Sequence, residues 1–163
     1  MKVQALKVNS FTANEMGGNP AGVVLKPGEL TAFQMKKISR ILQVSETAFV
    51  FPSDIADFHV RFFSPAVEVD LCGHATIATF TVLAKKQITE SKNVIRLTQE
   101  TKAGVLPVKL HFTNAGELDF VLMQQQKPVF EPVSYSPQTL ANLLNISVEI
   151  GRASCRERVC HRV

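Results

Sequence analysis

Apolar residues along this chain alternate between two periods, and the changes of period divide it into elements. Residues 3–11 (VQALKVNSF) alternate loosely between apolar and polar, which predicts a strand. Gly17-Gly18-Asn19-Pro20 reads as a turn, and residues 21–25 form a short apolar run with two Val, a buried strand. Residues 31–42 carry helical spacing. Thr31 and Gln34 stand at capping-box distance; Phe33, Ile38, Ile41 and Leu42 supply an apolar face, and Lys36, Lys37 and Arg40 a solvated one. Residues 47–51 and 59–64 read as strands, with Pro52-Ser53-Asp54 opening the turn between them. Residues 73–86 predict a second helix that is apolar nearly all round, and such a helix is buried. Lys85 and Lys86 fall at its C-terminus, where the helix dipole favours cations. Residues 94–98, 104–112 and 118–124 then read as an antiparallel meander, with a turn at Asn114-Ala115-Gly116. Residues 128–135 are a loop, and Ser136-Pro137 opens a third helix through Leu144. Strands gathered around one buried helix predict an α+β domain.

Composition narrows the class. The chain has 163 residues, 45% hydrophobic and 20% charged, enough for one domain with a real core. No apolar stretch reaches the roughly eighteen residues needed to span a membrane. The first twenty residues show no secretion signal, so the cytoplasm is the expected compartment. Three Cys without a signal argue against a disulfide framework. The net charge of +4 is concentrated at the end: the thirteen residues from Gly151 hold four Arg and one Glu, and the other 150 carry a net of only +1. No basic face for nucleic acid is expected.

That terminal stretch breaks the texture of the rest. Cys155, Cys160 and His161 lack both the spacing and the fourth ligand of a zinc site. Residues 150–159, IGRASCRERV, are the in-frame translation of ATCGGAAGAGCGTCGTGTAGGGAAAGAGTG, a common sequencing-adapter read. The expectation is therefore a genuine lobe over residues 1–149, a non-native tail over 150–163, and a gene cut short.

The densest chemistry is Asp70-Leu71-Cys72-Gly73-His74-Ala75-Thr76, at the start of the buried helix. Backbone N–H groups there lack intrahelical partners and lie at the positive end of the dipole, a ready seat for a substrate carboxylate. His74 could donate to a bound acid, or be a hydrogen-bonded structural histidine. Cys72 precedes the helix, where thiol pKa values fall; the alternative is a buried, inert cysteine. Glu46, where a helix gives way to an apolar strand, could be part-buried and suited to proton transfer, or simply solvent-exposed. Asn19 could brace the site from its turn. His59 and His111 lie in strand-like runs and carry no expected role. No phosphate loop, dinucleotide fingerprint or paired metal motif is present, so neither a metal nor another cofactor is expected.

Three motifs together resemble the phenazine-biosynthesis PhzF-like isomerases. They are Gly18-Asn19-Pro20-Ala21-Gly22-Val23-Val24-Leu25, Val44-Ser45-Glu46-Thr47-Ala48-Phe49-Val50, and Arg61-Phe62-Phe63-Ser64-Pro65 followed by residues 68–76; Val8-Asn9-Ser10-Phe11-Thr12 fits as well. The resemblance implies the diaminopimelate-epimerase-like fold, in which each of two lobes wraps a mostly antiparallel sheet around a central helix. Only the first lobe is expected here. It further implies cofactor-independent proton transfer on a small carboxylic acid. Glu46 would be the acid/base, His74 would join it in catalysis, and Gly73 and His74 would contact the substrate, with Asn19, Asp70 and Cys72 as further binding residues. It allows a homodimer, which the residues themselves do not show. Two rivals stay open: a two-base epimerase or racemase using Cys72, and a non-catalytic binding protein on the same fold.

Overall fold

Strand β2 (Asn19–Val24) shows how the chain builds two faces from alternating residues. In the computed structural model, which describes residues 2–12, 16–87, 93–129 and 135–147, Ala21 and Val23 point to one core and Val24 to another. The period of two along a strand makes this possible, and both faces are covered. The chain divides into two compact units, Met1–Gln125 and Gln126–Val163.

In the first unit the elements run β1 (Leu6–Ser10), β2, α1 (Ala32–Leu42), β3 (Thr47–Phe51), β4 (Phe58–Phe63), β5 (Glu68–Val69), α2 (Gly73–Gln87), β6 (Val94–Thr101), β7 (Gly104–Phe112) and β8 (Leu118–Met123). One eight-stranded sheet has the order β1-β2-β3-β4-β6-β7-β8, with β5 added on β4. Pairing is antiparallel except between β2 and β3 and between β4 and β6. β4 changes partner along its length: Phe58 and His59 pair with β6, and Phe62 and Phe63 with β5. The change frees the chain after Val69 to turn into α2.

α2 packs against β1, β2, β3 and β8, strands from both ends of the order, so the sheet curls around it. One side of the helix (Ala75, Ala78, Val82) meets Ala21, Val23, Ala48, Val60 and Phe62; another (Phe80, Leu83, Ala84) meets Ile95, Val108, Leu110 and Val121. A fully buried side chain such as Phe80 contributes roughly 1.5–3 kcal/mol. The helix also buries Thr76 and Thr79, whose hydroxyls donate back to the carbonyls of Cys72 (2.8 Å) and Ala75 (2.7 Å). Polar groups satisfied in this way are tolerated in a core. The expected α+β lobe with a mostly antiparallel sheet around a buried central helix is what forms.

α1 lies on the opposite face of the sheet, with Met35 in a core of Val24, Phe49 and Phe63. Its capping box forms in full: Gln34 N–H donates to Thr31 Oγ1 (3.3 Å) and Thr31 N–H to Gln34 Oε1 (2.8 Å). Its face differs in part from the expected one, in which Ile38 does pack on this core. Met35 and Ser39 are buried, whereas Phe33 is 73% and Ile41 70% exposed. Ser39 satisfies its hydroxyl on the Met35 carbonyl (3.1 Å), so a small polar residue occupies the contact that apolar counting gave to Phe33 and Ile41.

In the second unit α3 (Pro137–Leu144) begins as expected, with Ser136 Oγ accepting from Thr139 N–H (3.1 Å) and Pro137 in the first turn. Ala141 is buried, and Asn145 ends the helix in the left-handed conformation (φ 53°). Residues 150–163, where the non-native tail is expected, and 130–134 of the expected loop lie outside the described residues. Among the described residues no helix is long and apolar enough to cross a membrane.

Candidate active site at the start of the buried helix

Glu46 is placed by its backbone. α1 ends with Gln43 in the left-handed conformation (φ 52°), Val44 is buried, and the Gly22 N–H donates to the Glu46 carbonyl (3.0 Å). That contact requires glycine. A Cβ on Gly22 would collide with Thr47 Oγ1 and come within 2.7 Å of Leu42 Cδ1. The parallel pairing of β2 with β3 thus fixes where the Glu46 carboxylate emerges.

The carboxylate emerges beside α2. Glu46 Oε2 lies 3.4 Å from His74 Nε2 and 3.7 Å from Cys72 Sγ, and the side chains of His74 and Glu46 are 10% and 23% exposed. His74 stands in the first turn of α2. Its carbonyl accepts from Ser10 Oγ (2.7 Å), its Nε2 lies 3.3 Å from Ser45 Oγ, and its Nδ1 lies 3.3 Å from Cys72 Sγ. Cys72 holds the N-cap place of the helix, since its carbonyl accepts the Thr76 N–H (3.0 Å).

The thiol departs from the expectation for a helix N-terminus. Burial pushes Cys72 up to about 11, and the Glu46 carboxylate adds to the rise. The backbone N–H groups of Ala75 and His74 act on the sulfur in the opposite direction, but desolvation outweighs them. Cys72 is therefore a neutral thiol at neutral pH.

Of the other expected site residues, Gly73 stays with this group and Asp70 does not. Gly73 opens the helix, and a Cβ there would meet only Gln125 Nε2 at 3.7 Å and Met123 Sδ at 4.0 Å. Asn19 is exposed at the start of β2, opposite the Ser10 that anchors His74. Asp70 points elsewhere: its carboxylate is 73% exposed and 3.8 Å from Lys102 Nζ, apart from the Glu46–Cys72–His74 group. Glu68, the other carboxylate before the helix, is held in a fork by Arg61 (2.7 and 2.9 Å), which keeps its pKa below the usual carboxylate range. Ser10 and Ser45 had no assigned role in the sequence, although both stand inside the motifs quoted above. Their adjacency to His74 depends on pairing across 64 and 29 residues.

Glu46, Cys72 and His74 offer ligand atoms within 4.8 Å of one another, a donor set of the kind that thiophilic divalent cations use. The two imidazole nitrogens face different neighbours, Nδ1 the thiol and Nε2 the carboxylate, and an ion would take only one of them. Without an ion, the cluster sets a proton acceptor, an imidazole and a thiol against the amide-rich end of a helix.

Comparison with known proteins fits this arrangement. The family model for phenazine biosynthesis-like proteins matches residues 8–155. The uncharacterized isomerase YfhB of Bacillus subtilis is 38% identical over 91% of this chain and 49% of its own length. A human phenazine biosynthesis-like domain-containing protein is 32% identical over 90% of this chain and 58% of its own length. A crystal structure of a Bacillus anthracis phenazine biosynthesis protein of the PhzF family superposes with a TM-score of 0.72, at 37% identity, over 91% of this chain and 49% of that one. The chain thus spans about half the length of the curated relatives it matches. With the family model covering most of its length, the chain belongs to the phenazine biosynthesis-like family.

Proposed function

We propose that these residues form one wall of the active site of a cofactor-independent isomerase that moves a proton between carbon atoms of a small carboxylate-bearing metabolite. The observation that carries this reading is Glu46 Oε2 at 3.4 Å from His74 Nε2, at the N-terminus of a buried helix. The helix start favours the substrate carboxylate. Glu46 takes a proton from one carbon and returns it to another, so atoms and electrons balance without a cofactor. His74 orients or polarises the substrate from the side facing Glu46. Relatives named isomerases support the reaction class. A two-base mechanism through Cys72 has less support, because burial keeps the thiol protonated. The reaction belongs to a protein of the relatives' length, acting in the cytoplasm; the 163 residues alone are expected to be inactive.

Solvent-deuterium incorporation into a panel of small carboxylic acids tests the reading, in a protein of the relatives' length. Exchange with at least one acid is expected, and Glu46→Gln should abolish it. Exchange that survives the substitution removes Glu46 from the role. No exchange with any acid, alongside saturable binding, favours a binding protein.

A further inference from the structure

We propose that Cys72 is a positioning residue whose thiol donates to His74 Nδ1, holding the imidazole with its single proton on Nε2 toward Glu46. The proposal is an accounting of donors and acceptors around one ring. Nε2 faces Glu46 Oε2 at 3.4 Å and Ser45 Oγ at 3.3 Å. An ionised carboxylate only accepts, so the contact with Glu46 needs a proton on Nε2. A neutral imidazole has one N–H, which leaves Nδ1 as an acceptor. The group facing Nδ1 is the Cys72 thiol, 3.3 Å away and well within reach of a sulfur hydrogen bond.

The thiol itself is held in place. The amides of Ala75 and His74 act on the sulfur, and the Cys72 carbonyl starts the helix by accepting from Thr76. Its S–H has two acceptors to choose between, Nδ1 at 3.3 Å and Glu46 Oε2 at 3.7 Å, and the shorter contact is to the ring. Burial keeps the proton on sulfur, so the donor persists through neutral pH. On the other side, Ser10 Oγ grips the His74 carbonyl. Backbone and ring are therefore fixed by separate contacts. This deepens the proposed function, on which its catalytic meaning rests. It gives Cys72 a role that consumes no proton, in contrast to a thiol base.

The test is independent of substrate. In the uniformly 15N-labelled 163-residue chain, long-range proton–nitrogen correlations read the state of each of the four histidine rings at neutral pH. His74→Gln identifies the His74 signals. The expected wild-type pattern is a protonated Nε2 with a hydrogen-bonded, unprotonated Nδ1. Cys72→Ala should move the Nδ1 resonance by several parts per million toward that of an unbonded ring nitrogen, and Cys72→Ser, which restores a donor, should bring it back. A protonated Nδ1 in the wild type overturns the proposal with no variant needed, whether it reflects the other tautomer or a thiolate–imidazolium pair. So does an Nδ1 resonance that Cys72→Ala leaves unmoved. Cys72→Val serves as the donor-free variant if the alanine variant does not fold. Failure of deuterium exchange with the expected ring pattern intact would remove the isomerase reading and leave this role standing.

Discussion

α1 and α2 pack on opposite faces of the same strand β3, yet they begin by opposite rules. α1 starts with a complete Thr31–Gln34 capping box and α3 with a serine cap, so hydroxyl oxygens satisfy their first amides. α2 starts with Cys72, whose sulfur is a poorer acceptor than a hydroxyl oxygen. The helix that keeps the local rules is scaffold. The helix that breaks one gathers a carboxylate, an imidazole and a thiol at its start. Departures from local consistency cluster where chemistry needs an unsatisfied group, and burial elsewhere compensates for them. Here the compensation is the apolar length of α2, enclosed by the curled sheet.

The comparison can be broken most severely where β2 meets β3 and Glu46. Gly22→Ala drives a methyl into Thr47 and Leu42, and should cost about 3 kcal/mol or more by urea denaturation. It should also displace Glu46, whose carbonyl rests on the Gly22 amide. Gly73→Ala, at the start of α2, finds only ordinary contacts and should change stability by no more than about 0.5 kcal/mol. Equal losses in the two variants would show that the space around Gly22 relaxes.

Next in size is the buried side of α1. Met35→Ala should cost about 3 kcal/mol, and Ile41→Ala no more than about 0.5 kcal/mol. The reverse order in thermal melts would restore the face that the sequence suggests. That face illustrates what a sequence conceals. The limits of α1 are readable because a capping box is local, spanning Thr31 to Gln34. Its buried side is not, because Ser39 looks polar while its hydroxyl is satisfied within the helix. The candidate site divides similarly. Glu46, Gly73 and His74 are legible from motif and helix start. Ser10, Ser45 and the raised Cys72 thiol depend on pairing and burial that no local pattern records. β5, at two residues, is too short to have a period. The two parallel pairings join strands that are not linked by a hairpin, so no turn announces them.

A smaller effect sharpens the contrast between helix starts. Thr31→Ala removes a full cap and should cost about 1 kcal/mol. The smallest concerns the fork before α2. Arg61 lowers the folded-state pKa of Glu68, so the pair stabilises the fold above the unfolded carboxylate value of about 4.3. That contribution is lost as pH falls through the lowered folded value. Arg61→Ala should remove about 1 kcal/mol or less at neutral pH and make stability less sensitive to acid in that range. Parallel acid titrations of the two proteins would show it as a difference present at neutral pH that closes as pH falls through the Glu68 range.

The Ser10–His74 bond has a consequence for motion. Among the described residues β1, which carries Ser10, is an end strand of the sheet and pairs only with β2. Edge strands open locally at lower free energy than the core does. Each excursion of β1 from the sheet releases the His74 carbonyl while α2 keeps its packing on β2, β3 and β8. Amide exchange at the edge strand and loosening of the His74 backbone should therefore share one opening free energy, well below that of global unfolding. The readiness of the site would then be set by how often the first strand lets go.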